Sequence, residues 1–136
     1  MFIGGLIGGY ISDKINRKKA VTYFLSGFVA TILFISIYNQ FSSSQITIIL
    51  FSAFTIMYFF VGLFTASSYA LFMDLTNPKI GGTQFSTYMA ATNGCEAWAV
   101  WLAGIFVAGY GYSEAVLIMC IVSFLSLFFL KKIKLD

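Results

Sequence analysis

The chain has 136 residues, of which 60% are hydrophobic and 10% are charged, whereas a soluble domain usually carries about 25% charged residues. So few ionic side chains cannot cover a globule in water, and the apolar stretches are long enough to cross a bilayer. The sequence has no histidine, which excludes zinc sites built on histidine and hydrolytic triads with a histidine base. We therefore expect an all-α polytopic membrane protein with no catalytic site, metal or cofactor.

Five apolar segments follow one another along the chain, separated by short polar connections. They cover residues 1–11, 20–38, 46–73, 84–108 and 113–130. The first is too short to span a membrane, because its helix would rise only about 16 Å against a hydrocarbon core about 30 Å thick. The sequence therefore predicts one transmembrane domain with about four full spans plus the end of one more, as part of a helical bundle.

The positive charges are confined to alternate connections. They are Lys14, Arg17, Lys18 and Lys19 after the first segment, Lys79 before the fourth, and Lys131, Lys132 and Lys134 in the tail. No lysine or arginine occurs in residues 39–45 or 109–112. Because positive charge is retained on the cytoplasmic side of a membrane, the charged connections and the C-terminus are predicted to be cytoplasmic. Residues 42–44 and 109–112 are predicted to face outward.

A short charged segment joins the first two apolar segments. It has a glycine at the membrane face, a carboxylate at a helix end and four cations; the residues are Gly9, Asp13, Lys14, Arg17, Lys18 and Lys19. Such a cluster can serve simply to hold the loop in the cytoplasm. Its spacing resembles the signature loop of the major facilitator superfamily, G-x-x-x-D-[RK]-x-G-[RK]-[RK]-[RK], with Asn16 in place of the glycine. Asparagine is the non-glycine residue that best tolerates a left-handed backbone, so this departure from the motif is mild.

The resemblance implies a fold and a function. The chain would supply the end of the second helix and then helices three to six of a six-helix half, and two such halves would surround a central site. The function would be secondary active transport of a small solute by alternating access, in a bacterial-type inner membrane. The partners would be the lipid bilayer, the solute, and the missing transporter half or remaining helices. The short tail after the last span favours the C-terminal half.

A second segment supports the same half. Residues 74–85 resemble the loop before helix eleven in the branch that contains AmpG-type muropeptide permeases and acetyl-coenzyme A transporters. The local structure can also be explained without that resemblance. Pro78 and the glycines at 81 and 82 break the helix, and Thr83 is the expected N-cap of the span that follows.

Glu96 lies near the middle of the fourth segment. An ionised side chain facing lipid there would cost at least about 2.5 kcal/mol, so the carboxyl must face protein or water. Helical spacing makes Thr92 and Asn93 its candidate hydrogen-bond partners. A membrane carboxyl of this kind is the default candidate for carrying a coupling proton or binding substrate. The alternative is a structural carboxyl bonded to a neighbouring helix.

The third segment carries a stripe of polar or small side chains on one helical face. The stripe consists of Ser52, Thr55, Tyr58, Gly62, Thr65 and Tyr69. In a membrane it indicates either a cavity wall or a tight polar helix contact, because serine and threonine hydroxyls also bond to their own backbone. We place Ser52, Thr55 and Tyr58 with Glu96 as candidate residues of a substrate or proton pathway.

Small residues also indicate where helices touch. Gly4 with Gly8, and Gly5 with Gly9, form two overlapping G-x-x-x-G pairs in the first segment. Such pairs let two helix backbones approach closely in a bilayer.

Two other functions are compatible with the sequence. The chain can be a non-transporting membrane subunit or anchor that docks a partner through Glu96, or a small multidrug-type exporter that dimerises around that residue.

Overall fold

The computed structural model describes residues 1–41 and 47–132 as five α-helices, with no strand in these two ranges. The helices are α1 (Phe2–Lys14), α2 (Arg17–Phe41), α3 (Thr47–Leu75), α4 (Gly81–Tyr110) and α5 (Tyr112–Lys132). Each extends beyond the corresponding apolar segment at its C-terminal end. The all-α fold class is confirmed. Residues 42–45 of the predicted outward connection, and Lys134 in the tail, lie outside the described residues.

The charged connection between α1 and α2 is shorter than the sequence indicated. Lys14 ends α1 and Arg17 begins α2, so only Ile15 and Asn16 link the two helices. The Asn16 side-chain oxygen accepts a hydrogen bond from the Lys18 backbone N–H at 3.1 Å, the geometry of a helix N-cap. No non-glycine residue described here has a positive φ. Asn16, which stands where the signature loop has glycine, therefore caps the start of α2 with its side chain and has no left-handed backbone.

The connection between α3 and α4 also differs in detail. The Asn77 side-chain oxygen accepts from the Lys79 N–H at 3.0 Å, and the Ile80 N–H donates to the Asn77 carbonyl at 3.0 Å. These bonds form a tight turn, and α4 begins directly after it at Gly81. Thr83 therefore lies inside the first turn of the helix, and its prediction as the N-cap is wrong.

The closest helix contact joins α1 to α3, which run in the same direction. A Cβ atom added to Gly8 would lie 2.7 Å from the Leu63 Cα, and one added to Gly4 would overlap the Phe59 carbonyl oxygen. Across the same seam the Ser67 hydroxyl donates to the Gly8 carbonyl at 3.3 Å. Gly4 and Gly8 thus allow a backbone-to-backbone approach that any larger residue would prevent.

Helix α2 lies between α3 and α5. Leu25, Val29 and Cys120 form the buried cluster at its contact with α5, and the Cys120 thiol points at the Val29 carbonyl with a sulfur–oxygen distance of 3.9 Å. On its other side, the Phe60 ring of α3 packs against Gly27. The order of contacts therefore gives α2 two covered faces, whereas α1 and α4 lie toward the edges of the described bundle.

Helix α4 turns directly into α5 at Gly111. This residue has a φ of 89°, a left-handed conformation that glycine adopts without strain, and its N–H donates to the Val107 carbonyl at 3.0 Å. The two helices then pack together, and α4 touches α3 at few points. As a result α4 has no buried residue among those described, which leaves one long face uncovered.

Two stretches of the described chain are long and apolar enough to cross a membrane, namely Arg17–Tyr38 and Ile48–Leu75, and Tyr112–Ser126 is apolar but shorter. Helix α4 has ample length, since its 30 residues rise about 45 Å. Its polar side chains and glycines, Asn93 and Glu96 among them, lower its mean hydropathy. The predicted count of four full spans is therefore not confirmed by length and composition.

Candidate functional site: an ion-pair cluster and an acidic groove

Arg17 joins the ends of three helices. Its Nη1 donates to the Asp74 carboxylate at 2.7 Å and to the Ala70 carbonyl at 2.8 Å, both near the C-terminal end of α3. Its Nη2 donates to the Asp13 carboxylate at 3.2 Å, one turn back at the end of α1. The planar guanidinium can serve these three acceptors together because its donors point in fixed, divergent directions.

The Arg17 cluster is partly open to solvent. The side chains of Arg17, Asp13 and Asp74 are 30%, 66% and 51% exposed. Exposed ion pairs contribute about 0–1 kcal/mol to stability because water screens them and the side chains lose entropy. The cluster therefore adds little to the folding free energy. The cluster holds the ends of α1, α2 and α3 in one relative position.

The remaining motif residues do not join this cluster. The Lys14 ammonium lies over the Tyr10 ring, 4.4 Å from its centre, and Lys19 is exposed. Lys18 contributes its backbone N–H to the Asn16 cap. At Gly9 an added Cβ would meet nothing within 4 Å in the described chain. Of the six predicted motif residues, the structure thus brings together Asp13 and Arg17.

Asp74, the third charged member of the cluster, is not among the site residues predicted from the sequence. A usable signal was present, because Asp74 is an acid in a connection predicted to lie on the same membrane side as the basic segment. Nothing in the sequence alone indicates which of four cations it meets.

Glu96 lines a groove of about 470 Å³ between α2, α3, α4 and α5. Helices α2 and α3 contribute Phe28 and Phe54 to its wall, and α5 contributes Met119 and Cys120. Glu96 itself is exposed, and it makes no hydrogen bond or ion pair with any residue in the ranges 1–41 and 47–132. The groove is therefore an apolar space with a single carboxylate in its wall.

The two predicted partners of Glu96 lie on the same helix but do not bond to it. The Thr92 hydroxyl donates to the Met89 carbonyl at 2.9 Å, so its proton is used within α4. Asn93 is exposed, and neither residue lines the Glu96 groove. The described structure therefore shows no hydrogen bond from Thr92 to Glu96, because the backbone one turn earlier takes the threonine proton.

The polar stripe of α3 divides between different surroundings. Ser52 lines a second groove, of about 540 Å³, between α2 and α3, whereas Gly62 is buried against the start of α1. Thr55 and Tyr58 are exposed and line neither groove. The Ser52 and Thr55 hydroxyls donate to carbonyls of their own helix, at 2.8 Å each. The stripe therefore does not form one continuous wall with Glu96.

Comparison with models of known protein families gives a match over nearly the whole chain. The sequence model of the Major Facilitator Superfamily matches residues 1–134, while no curated protein and no solved structure matches the chain. The match is to the superfamily as a whole and gives no support to the muropeptide-permease branch that residues 74–85 resemble. The matched range includes the charged connection around Arg17, which carries the resemblance to the signature loop. Because it covers nearly the entire sequence, the chain belongs to the major facilitator superfamily, a family of integral membrane transporters.

Proposed function

We propose that this chain works in a secondary active transporter that moves a small solute by alternating access. The observation that carries the proposal is the Arg17 cluster, which connects the ends of α1, α2 and α3 in a member of a transporter family. Alternating access requires helices that move as units between two arrangements. A partly exposed cluster of weak ion pairs suits that requirement, because it stabilises one arrangement without preventing the other.

In this proposal Arg17 is a conformational contact at the cytoplasmic end of the helices. Asp13 and Asp74 hold α1 and α3 to the start of α2 in one state, and the contact is lost or exchanged in the other. Lys14, Lys18 and Lys19, with Lys79 in the next connection, favour the cytoplasmic side for this end. The C-terminus then lies on the same side, and the membrane is the inner membrane of a bacterial-type cell.

Glu96 is the residue we assign to the solute or proton pathway. Its support is chemical: it is a membrane-depth carboxyl that faces an apolar groove and has no partner in the described ranges. Such a group is costly to keep unless it has a function. Ser52, Thr55 and Tyr58 of α3, and Thr92 and Asn93 of α4, remain secondary candidates.

The uncovered face of α4 supports a further partner. Asn93, Gly94 and Ala97 are exposed there, and small residues with an amide are typical of a protein contact in a bilayer rather than of a lipid surface. We propose that the remaining helices of the transporter cover this face. With α4 included as a span, the domain then has four full spans and the end of one more.

The function is tested with the protein reconstituted in liposomes under an imposed proton gradient. The solutes tested are amino acids, sugars and organic cations. A pH-sensitive dye inside the vesicles reports proton movement. We expect at least one class of solute to accumulate against its concentration gradient, and we expect protons to cross the membrane during its uptake. The substitution Glu96→Gln keeps the shape and removes the charge. If Glu96 carries the coupling proton, uphill accumulation stops while solute exchange persists.

The other outcomes separate the remaining roles of Glu96. A loss of both binding and exchange in Glu96→Gln would mean that the carboxylate pairs with the solute. Uphill uptake by Glu96→Gln at the parent rate would mean that Glu96 is not part of the pathway. The face of α3 with Ser52, Thr55 and Tyr58 would then be the next candidate. Absence of accumulation for every class in the parent protein would favour the non-transporting subunit or anchor. The small dimeric exporter has no observation that favours it.

A further inference from the structure

The groove that contains Glu96 has an unusual balance of charge. Glu96 is the one charged side chain in its lining, which contains no lysine or arginine within the described part of the chain. The rest of the wall is almost wholly apolar or aromatic. A carboxylate in such a space attracts positive charge, because a low-dielectric wall strengthens its field and no neighbouring cation offsets it.

Besides Glu96, the groove contains the Tyr112 hydroxyl and two polar groups that are already bonded. The Ser123 hydroxyl donates to the Met119 carbonyl at 2.9 Å, and the Cys120 thiol is directed at the Val29 carbonyl. These groups therefore offer a neutral polar solute few free donors. Glu96 is the one charged group of the described lining with unused hydrogen-bonding capacity, and it is an acceptor. The groove is chemically suited to a ligand that carries a positive charge on an otherwise apolar body.

The shape of the wall fits the same ligand. The rings of Phe28, Phe54 and Tyr112 provide aromatic surfaces, and such faces attract an organic cation that has lost its water. Met57 and Met119 supply flexible side chains that adapt to different outlines. The volume of about 470 Å³ lies within the range of pockets that enclose a small organic molecule.

We propose that this groove binds a lipophilic monocation, with its charge at Glu96 and its apolar or aromatic body against α2, α3 and α5. The proposal rests on the transport function proposed above and names the class of its solute. A lipid acyl chain is the competing occupant, but it would leave the Glu96 carboxylate unpaired in an apolar space, which is costly.

Tetraphenylphosphonium and tetraphenylborate provide the test, because they have the same shape and opposite charge. Binding of each to the purified, detergent-solubilised protein is measured by equilibrium dialysis. We expect the parent to prefer the cation and Glu96→Gln to lower cation affinity at least about tenfold, since loss of one partner weakens a desolvated charge pair strongly. Glu114→Gln is the matched control, because Glu114 is exposed on α5 and does not line the groove. Its cation affinity should equal that of the parent.

A second variant addresses the groove independently of the charge. Ala103 lines the groove on α4, and Ala103→Phe fills space while keeping Glu96. It should also lower cation affinity, and circular dichroism confirms that both variants remain helical. Equal binding of the two ions by the parent, or unchanged cation binding in Glu96→Gln or Ala103→Phe, would overturn the proposal. Solute accumulation in the liposome assay without such binding would refute this solute class and leave the transport function standing.

Discussion

At the scale of single residues, Arg17 differs from the lysines beside it by what its side chain can reach. One guanidinium on α2 contacts two carboxylates and a carbonyl on two other helices, α1 and α3, whereas a lysine ammonium is a compact charge without the planar fork. Lys18 and Lys19 follow Arg17 along the chain and have the same charge, but the helix turns them by about 100° each. The rotation of α2 about its axis therefore decides which cation meets Asp74.

The two acids of the Arg17 cluster should not be equivalent. Asp74 lies 2.7 Å from Arg17 and Asp13 lies 3.2 Å away with a more exposed side chain, so Asp74→Asn should lower transport more than Asp13→Asn. An exposed pair is worth up to about 1 kcal/mol, and we therefore expect a change in rate of about fivefold. Transport in liposomes and protein abundance in membranes are measured together.

The conservative replacement Arg17→Lys provides the control for charge alone. It keeps one positive charge at the start of α2 but lacks the planar fork that reaches acceptors on α1 and α3 from one position, so it should resemble Asp74→Asn in transport. Unchanged abundance is part of the prediction. A parallel fall of abundance and activity would assign the cluster to folding instead of conformational change.

At the scale of elements, the contact between α1 and α3 shows how a repeated motif is used selectively. Both G-x-x-x-G pairs of α1 have the same spacing, yet Gly4 and Gly8 meet the α3 backbone while Gly5 and Gly9 have open space beside them. Adjacent positions on a helix point about 100° apart. Only one of the two overlapping pairs can therefore face a given neighbour.

Two alanine substitutions should have effects of opposite sign. Gly8→Ala puts a methyl group 2.7 Å from the Leu63 Cα, so α1 and α3 must separate, at a cost of about 1–3 kcal/mol. Gly5→Ala meets no atom within 4 Å and should gain about 0.5–1 kcal/mol from the lower entropy of alanine in the unfolded chain. The midpoint of thermal unfolding in detergent measures both. A lower midpoint for Gly5→Ala, or no loss for Gly8→Ala, would contradict the contact.

At the scale of the whole molecule, helix directions and charge positions agree. The contact between Arg17 and Asp74 brings the start of α2 and the end of α3 to the same end of the bundle, together with the connection that contains Lys79. Helices α2 and α3 are therefore antiparallel, and the single-residue link at Gly111 turns α5 back along α4. Most of the described cations therefore lie at one end of the bundle, and this follows from the helix contacts alone.

This arrangement predicts which residues each side of the membrane can reach. In a protein that lacks Cys95 and Cys120, a membrane-impermeant maleimide should label Tyr110→Cys in intact cells, because the proposed orientation puts the Tyr110 end of α4 on the outward side. Ile80→Cys, at the charged end, should be labelled only after the membrane is permeabilised. Tyr110 and Ile80 are both exposed in the fold, so access depends on sidedness. The reverse labelling pattern would overturn the orientation.

The sequence by itself determined the helical membrane class, the approximate helix positions and the family. These three conclusions follow from composition, from the length of the apolar segments and from the spacing of Asp13 and the cations after it. All of these are properties of the linear sequence. The tertiary structure decided which groups meet. It joined Asp74 to Arg17 across 57 residues of sequence, chose Gly8 over Gly9 for the α3 contact, and separated Ser52 from the Glu96 groove. Such pairings depend on how each helix is rotated and where it packs, and a linear pattern leaves both open because the same helix can present any of several faces to its neighbours.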